Sequence, residues 1–412
     1  LALIVNNDID YALVHEKSKD LKFYIAKERV SAYEKGHEFE VLNEVKGSDL
    51  VGKKYEPLFP YFKEQVDLGA FQIVSDNYVT TTDGTGIVHS APAFGEDDNR
   101  VLKEHKITAF VQPIDSKAQF TDDVTDFAGV YIKDADKAII KHLKDAGQIF
   151  HQSVLVHSYP FCPRTDTPLI YMAMPQWYMK VDEIKEQLLA SNEQINWVPG
   201  HIKHGRFGKW LEGARDWAIS RSRFWGTPLP IWRNDTTDKF LAIGSIEELK
   251  KYTGVEVTDL HREFVDELSF RVEGEEGQYQ RVPEVFDCWF ESGSMPFAQL
   301  HYPFENKEVF DAGYPAEFIA EGLDQTRGWF YTLTVLSTAL TGKPAFKNVI
   351  VNGMVMASDG KKMSKRLKNY TEPDKIMHDF GADALRLTLI NSGLVRGEEL
   401  RFTDEGVKDM VR

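Results

Sequence analysis

The rhythm of hydrophobic and polar positions changes along the chain. Up to about Tyr159, short apolar runs such as Phe71-Gln72-Ile73-Val74 and Gly86-Ile87-Val88-His89 predict strands, and the spacing from Lys133 to Ala146 predicts an amphipathic helix. A compact α+β unit is expected there. The stretch Tyr159-Pro160-Phe161-Cys162-Pro163-Arg164-Thr165-Asp166-Thr167-Pro168 concentrates residues that break regular structure and predicts a crossing into another part of the fold. Between Trp232 and Arg281 the text turns acidic and polar, with a loop at Glu273-Gly274-Glu275-Glu276-Gly277, and reads as an insertion. After Pro283 an alternation emerges: a strand at Glu317 to Ala320, a helix from about Thr326 to Leu340, and a strand at Asn348 to Val351. This is a βαβ pattern and predicts a parallel sheet.

Composition narrows the class. The chain has 412 residues, 42% hydrophobic and 27% charged, a globular mixture with room for several cores. The longest uncharged apolar-rich stretch, Gly328 to Gly342, is short of the ~20 residues that cross a bilayer. Only Cys162 and Cys288 occur, so no disulfide framework is expected and a reducing, cytoplasmic setting is the default. A net charge of −15 argues against a surface that grips nucleic acid everywhere; any RNA contact is local. The start, Leu1-Ala2-Leu3-Ile4-Val5, carries no Met, basic leader or cleavage segment, and reads as an internal piece of a longer protein.

In open parallel sheets, ligands bind beyond the carboxyl ends of the strands. There the sequence offers Glu321-Gly322-Leu323-Asp324-Gln325 after one strand and Asn352-Gly353-Met354 after the next. The glycine turn Ser358-Asp359-Gly360 follows, and then a basic run in which Lys361, Lys362, Lys365, Arg366 and Lys368 fill five of eight positions. A cationic loop at that edge suits a polyphosphate. Farther on, Asn369-Tyr370-Thr371-Glu372-Pro373 starts a helix whose apolar positions Ile376, Phe380 and Leu387 recur at helical spacing.

Lys362-Met363-Ser364-Lys365-Arg366 resembles the second signature of class I aminoacyl-tRNA synthetases, and it stands after the last sheet strand, where that family places it. The segments Glu321 to Phe330, Asp287-Cys288-Trp289-Phe290-Glu291-Ser292-Gly293-Ser294 and Arg215 to Arg221 narrow the resemblance to the isoleucyl-tRNA synthetases. The Arg ending of the signature looks more like the eukaryotic and archaeal branch, which also has bacterial members. The resemblance implies an α/β fold: the second half of a class I Rossmann-type catalytic domain plus an inserted α+β editing domain. It divides the chain into an editing domain lacking its N-terminal part (1–159), a return segment (160–231), a small polar insertion (232–281), the catalytic half with the basic loop (282–372) and a helical junction (373–412).

It also implies ATP-dependent attachment of isoleucine to tRNA(Ile) through an isoleucyl-adenylate. Lys365, with Lys362 and Ser364, forms the catalytic loop and meets the ATP phosphates; Glu321, Gly322 and Asp324 hold the adenylate; Trp289, Gln325 and Trp329 line the amino-acid pocket. Carboxylates accept from ribose hydroxyls, which agrees with that assignment. Gly84 to Asp98 resembles the editing signature of the isoleucyl, valyl and leucyl enzymes, in which Asp98 takes the ammonium of a mischarged aminoacyl group and His89 sits beside the ester. A pocket distinguishes one methylene by only ~1–3 kcal/mol, and this enzyme family is the standard illustration of that limit. Hydrolysis of misactivated valine by an oriented water is therefore expected.

The implied partners are tRNA(Ile), isoleucine and ATP, with Mg²⁺ arriving on ATP, no membrane, and a monomer or a place in a larger assembly. With Thr165 where many relatives carry a second cysteine, no structural zinc is expected. The family's His-Ile-Gly-His signature is absent, since His201-Ile202-Lys203-His204-Gly205 lacks its spacing; it is expected upstream of residue 1, and the anticodon-reading region beyond Arg412. The piece alone is then expected to be inactive. Two other readings compete: a valyl-tRNA synthetase, and a non-catalytic tRNA-binding fragment.

Overall fold

The computed structural model describes residues 1–162, 165–365 and 367–411. Contacts divide the chain into two compact units, Leu1–Met174 and Pro175–Arg412. The stretch 160–174 thus clusters with the first unit. No helix among the described residues is long and apolar enough to cross a membrane.

The first unit holds two small sheets. In one, Ala2–Val5 runs parallel to Gln72–Ser75 and antiparallel to Val88–Ser90. In the other, Asp10–Glu16 lies between Leu21–Ala26 and Phe39–Lys46 in an antiparallel meander, with a register shift at Leu13/Val14. Ala2, Ile4, Val74, Val101 and Leu102 form one buried cluster, and Val5, Tyr11, Ala26 and Leu50 another. The expected helix appears as Ile132–Asp145. The breaker-rich stretch folds back on itself: Cys162 N–H donates to the Thr167 carbonyl (2.8 Å) and Leu169 N–H to the Pro160 carbonyl (3.0 Å). Pro163 and Arg164 of that stretch lie outside the described residues.

The second unit is built on a parallel sheet of three strands, ordered Ala316–Gly322, Phe346–Asn352, Asn196–Val198. Phe346, Val349 and Val351 are buried with Trp197, Phe207, Phe330 and Leu333 in its core. The connecting helix, Trp329–Thr341, is buried along most of its length, and its hydroxyls find internal partners: Thr334 donates to the Phe330 carbonyl (2.7 Å) and Thr338 to Ser191 Oγ (3.0 Å). The βαβ pattern is present, but the helix begins three residues later than expected, because Leu323–Arg327 forms a separate 3₁₀ turn.

The acidic insertion has a core of its own. Four antiparallel strands in the order Phe240–Ala242, Ile231–Asn234, Tyr279–Arg281, Ser269–Phe270 enclose Trp232, Ile243, Leu249, Val265, Phe270 and Tyr279. Ser245 caps the helix Ile246–Thr253 by accepting from Glu248 N–H (3.0 Å), while Glu248 accepts from Gly244 N–H (2.8 Å). The buried Arg281 guanidinium pairs with Asp266 and donates to the Glu284 carbonyl (2.9 Å). The helix expected after Asn369 is broken into Pro373–Phe380 and Ala382–Ile390 at Gly381, whose φ of +87° lies in the region that favours glycine. The break turns Leu387 away from the buried Ile376, leaving it 44% exposed.

Candidate active site

The carboxyl edge of the parallel sheet collects the acidic residues first. Glu321 pairs in register with Val351, and Gly322 with Asn352, so the two strand ends lie side by side. Glu321 is exposed at that edge. The chain then turns sharply: Thr326 is fully buried, donates to the Leu323 carbonyl (2.8 Å) and accepts from Arg206 Nε (3.1 Å). Gln325 Nε2 donates to Asp324 Oδ2 (3.1 Å), while Gln325 Oε1 accepts from Trp329 N–H (2.9 Å) and so satisfies one of the free donors that begin the helix. Asp324 and Gln325 are therefore one hydrogen-bonded unit at the strand end.

The three expected pocket residues come together. Trp329 Nε1 donates to the Ser292 carbonyl (3.0 Å). The Trp289 ring lies over Gly328, where a β-carbon would meet Gln325 Oε1 at 2.8 Å and Trp289 Cη2 at 3.1 Å. Trp289 itself is 40% exposed, so one part of the indole faces solvent. It is the second residue of the helix Cys288–Gly293, whose cap is the buried Asp287, held by Arg221 Nη2 (2.7 Å) and Trp217 Nε1 (3.3 Å). Gly293 lets that helix approach the Trp329–Thr341 helix: a β-carbon would fall 2.9 to 3.0 Å from Thr332.

The basic loop follows a tight reversal. Met356 and Lys362 pair as an antiparallel bridge, Ala357 N–H donates to the Lys361 carbonyl (2.9 Å), and Gly360 turns with φ +78°. Lys362 and Lys365 are exposed and Ser364 is half-buried. Asn369 reaches back into the loop, its Oδ1 accepting from Ser364 N–H (2.9 Å) and its Nδ2 donating to the Lys362 carbonyl (3.2 Å). Arg366, the fifth signature residue, lies outside the described residues. Among the described residues, no hydrogen bond or ion pair joins Lys362 or Lys365 to Glu321 or Asp324; the sheet edge and the loop are separate groups of side chains.

In the first unit, His89 and Asp98 share one neighbourhood. His89 lies on the strand Val88–Ser90 opposite Leu3, and its ring helps line an apolar cavity of about 680 Å³ with Tyr55, Phe59, Phe71, Phe94 and Phe127. Desolvation by that wall, opposed by Asp98, lowers the His89 imidazole below its ordinary value, although the residue is exposed on its other side. Asp98 Oδ2 accepts from Ala91 N–H (3.0 Å) at the first turn of the helix Glu96–Glu104. The three acids of that turn complement the helix dipole, which accounts for part of the signature structurally. Gly86 is structural as well: with φ +76° it passes Ala26 so closely that a β-carbon would stand 2.5 Å from the Ala26 β-carbon, and its carbonyl accepts from Tyr11 Oη (2.7 Å).

Residues 11–401 match the family model described as tRNA synthetases class I (I, L, M and V). The chain belongs to this family. It is 51% identical over its whole length to an isoleucine--tRNA ligase of Treponema denticola, covering 39% of that protein, and 52% identical over its whole length to one of Chlamydia muridarum, covering 40%. The synthetase chain thus spans about two fifths of the length of the curated relatives it matches. A solved LeuRS of Agrobacterium radiobacter K84, in ternary complex with tRNA and LeuAMS, aligns with 98% of the chain and 45% of its own at 15% identity and a TM-score of 0.37.

Several residues around the candidate site carry no signal in spacing or composition. Arg206 reaches Thr326 from a wide helical turn, Lys203–Phe207, more than a hundred positions upstream. Ser292 contributes only a carbonyl oxygen, and Asn369 acts through a side-chain amide that any polar loop could contain. Asp287, Trp217 and Arg221 fall within the resembling segments, yet their mutual contacts follow from the fold alone. Neither cysteine forms a disulfide, and among the described residues no three His, Cys, Asp or Glu side chains converge on a point fit for a metal ion.

Proposed function

We propose that the full-length protein activates isoleucine with ATP and transfers it to tRNA(Ile), and that the first unit hydrolyses misactivated valine. Identity above 50% along the entire chain with isoleucine--tRNA ligases carries this reading. In activation, an isoleucine carboxylate oxygen attacks the α-phosphorus of ATP, the bond to the bridging oxygen of pyrophosphate breaks, and the adenylate forms. Glu321 and Asp324 accept from the ribose hydroxyls at the sheet edge, with Gly322 keeping the backbone free of a side chain there. Lys365, supported by Lys362 and Ser364, places positive charge where negative charge grows on the phosphates. Mg²⁺ enters as the companion of ATP. Trp289 and Trp329 bound the isoleucine side chain, and Gln325, already committed to the Trp329 amide and to Asp324, fixes the shape of that wall.

In proofreading, a water oxygen adds to the ester carbonyl carbon and the bond to the tRNA ribose oxygen breaks, releasing valine and the tRNA hydroxyl. Asp98 takes the substrate ammonium. His89, neutral at physiological pH, accepts a hydrogen bond beside the ester without adding charge. These steps belong to a cytoplasmic protein whose partners are tRNA, isoleucine and ATP. Amino-acid-dependent ATP–pyrophosphate exchange by the full-length protein tests the reading: exchange with isoleucine at least ~100-fold more efficient than with valine is expected. Equal exchange with both, or with neither, overturns it.

A further inference from the structure

We infer that Asn369 is a positioning residue for the basic loop, holding the backbone from which Lys365 projects. The inference rests on the proposed role of Lys365 at the ATP phosphates. Among the described residues no side chain bonds to the Lys365 ammonium, and the residue is exposed, so its placement depends on the main chain around it. Asn369 brackets that main chain from both sides of Met363. Its Oδ1 takes the Ser364 N–H at 2.9 Å and its Nδ2 gives to the Lys362 carbonyl at 3.2 Å, using the acceptor and the donor of one planar amide on two loop residues. Lys368 N–H closes the opposite side by donating to the Ser364 carbonyl (2.9 Å). Lys365 thus sits inside a turn fastened at both ends, and one side chain supplies two of the three fastenings.

The geometry also explains why the residue must be an amide. Aspartate retains the acceptor for Ser364 but sets an oxygen against the Lys362 carbonyl, and alanine removes both bonds. Lys368 adopts φ +49°, an uncommon conformation for a residue with a β-carbon, and this kink turns the chain so that the next side chain faces back into the loop. A displacement of about 1 Å in a positioned catalytic group is enough to cost ~10²-fold in rate, so the loss of both fastenings has a measurable kinetic effect.

The test is a double-mutant cycle on the full-length protein, read by isoleucine-dependent ATP–pyrophosphate exchange, with Asn369→Ala, Asn369→Asp, Lys365→Ala and Asn369→Ala/Lys365→Ala. The expected result is a ~10- to 100-fold fall in kcat for both Asn369 variants, an unchanged KM for isoleucine, an unchanged melting temperature, and no further loss when Asn369→Ala is added to Lys365→Ala. Trypsin cleavage of the loop is expected to quicken in both Asn369 variants, a readout independent of activity. If Lys365→Ala lowers exchange while Asn369→Ala leaves kcat and cleavage unchanged, or if the two effects multiply independently, the positioning role is refuted and the reading of Lys365 stands. If Lys365→Ala leaves exchange unchanged, the reading of the loop itself fails.

Discussion

Gly353 follows the central strand of the parallel sheet and tolerates no side chain. A β-carbon there would stand 1.7 Å from the Glu398 carbonyl oxygen, 2.4 Å from its carbonyl carbon and 2.9 Å from its nitrogen, and all three are backbone atoms that cannot rotate aside. Its φ is not positive, so the cost of Gly353→Ala is wholly steric. Accommodating the methyl requires the 353 and 398 segments to part by more than an ångström, which breaks the buried bond from Gly353 N–H to the Leu394 carbonyl (2.7 Å). Overpacking costs about 1–3 kcal/mol and the lost hydrogen bond about 1, giving about 2–4 kcal/mol together. All eight tryptophans lie in the second unit, so urea unfolding followed by tryptophan fluorescence reports on it alone. Gly342→Ala is the comparison: its φ is +68° with nothing within 4 Å of a β-carbon, and it costs only about 1 kcal/mol. A Gly353→Ala loss no greater than that of Gly342→Ala would refute the steric argument.

Other perturbations separate the remaining parts. Asp266→Ala strips the counter-charge from the Arg281 guanidinium, whose side chain is 1% exposed, and is expected to cost about 3 kcal/mol in urea unfolding of the second unit followed by tryptophan fluorescence; a loss below about 0.5 contradicts it. Desolvation holds the His89 imidazole below its ordinary value near 6.5 in the folded chain. As pH falls below 6.5 the unfolded state takes up the proton first, so the first unit loses stability as pH drops from 6.5 toward the folded-state midpoint; an NMR titration midpoint at or above 6.5 for His89 would contradict this. Lys368→Gly relieves the positive φ at the end of the basic loop and is expected to raise hydrogen-exchange protection of the Lys368 amide by ~5-fold, about 1 kcal/mol; unchanged protection shows that no strain was stored.

The elements that were legible in the sequence are those whose periodicity reflects burial. The Trp329–Thr341 helix and its flanking strands are apolar because they form the core, so their order and parallel pairing follow from pattern alone. Their ends were less legible. The helix start shifts from Thr326 to Trp329 because Leu323–Arg327 forms a separate 3₁₀ turn and Gln325 Oε1 accepts from the Trp329 N–H four residues on, a polar contact that no window of hydrophobicity registers. The acidic insertion reads as polar because its core residues, from Trp232 to Tyr279, are scattered singly among charges and meet only in three dimensions. At the candidate site, Trp289, Gln325 and Trp329 are singled out by motif resemblance, whereas Arg206, Ser292 and Asn369 act through one hydrogen bond or two and leave no mark in residue type.

The central claim is that the nucleotide lies across the carboxyl edge of the parallel sheet, between the acidic strand end and the basic loop. A crystal structure of the full-length protein with a non-hydrolysable isoleucyl-adenylate analogue tests it most directly. The ribose is expected on the Glu321 and Asp324 carboxylates, the isoleucine side chain against Trp289 and Trp329, and the Lys365 ammonium turned toward the phosphate. An analogue bound elsewhere, with these side chains left facing solvent, would contradict it.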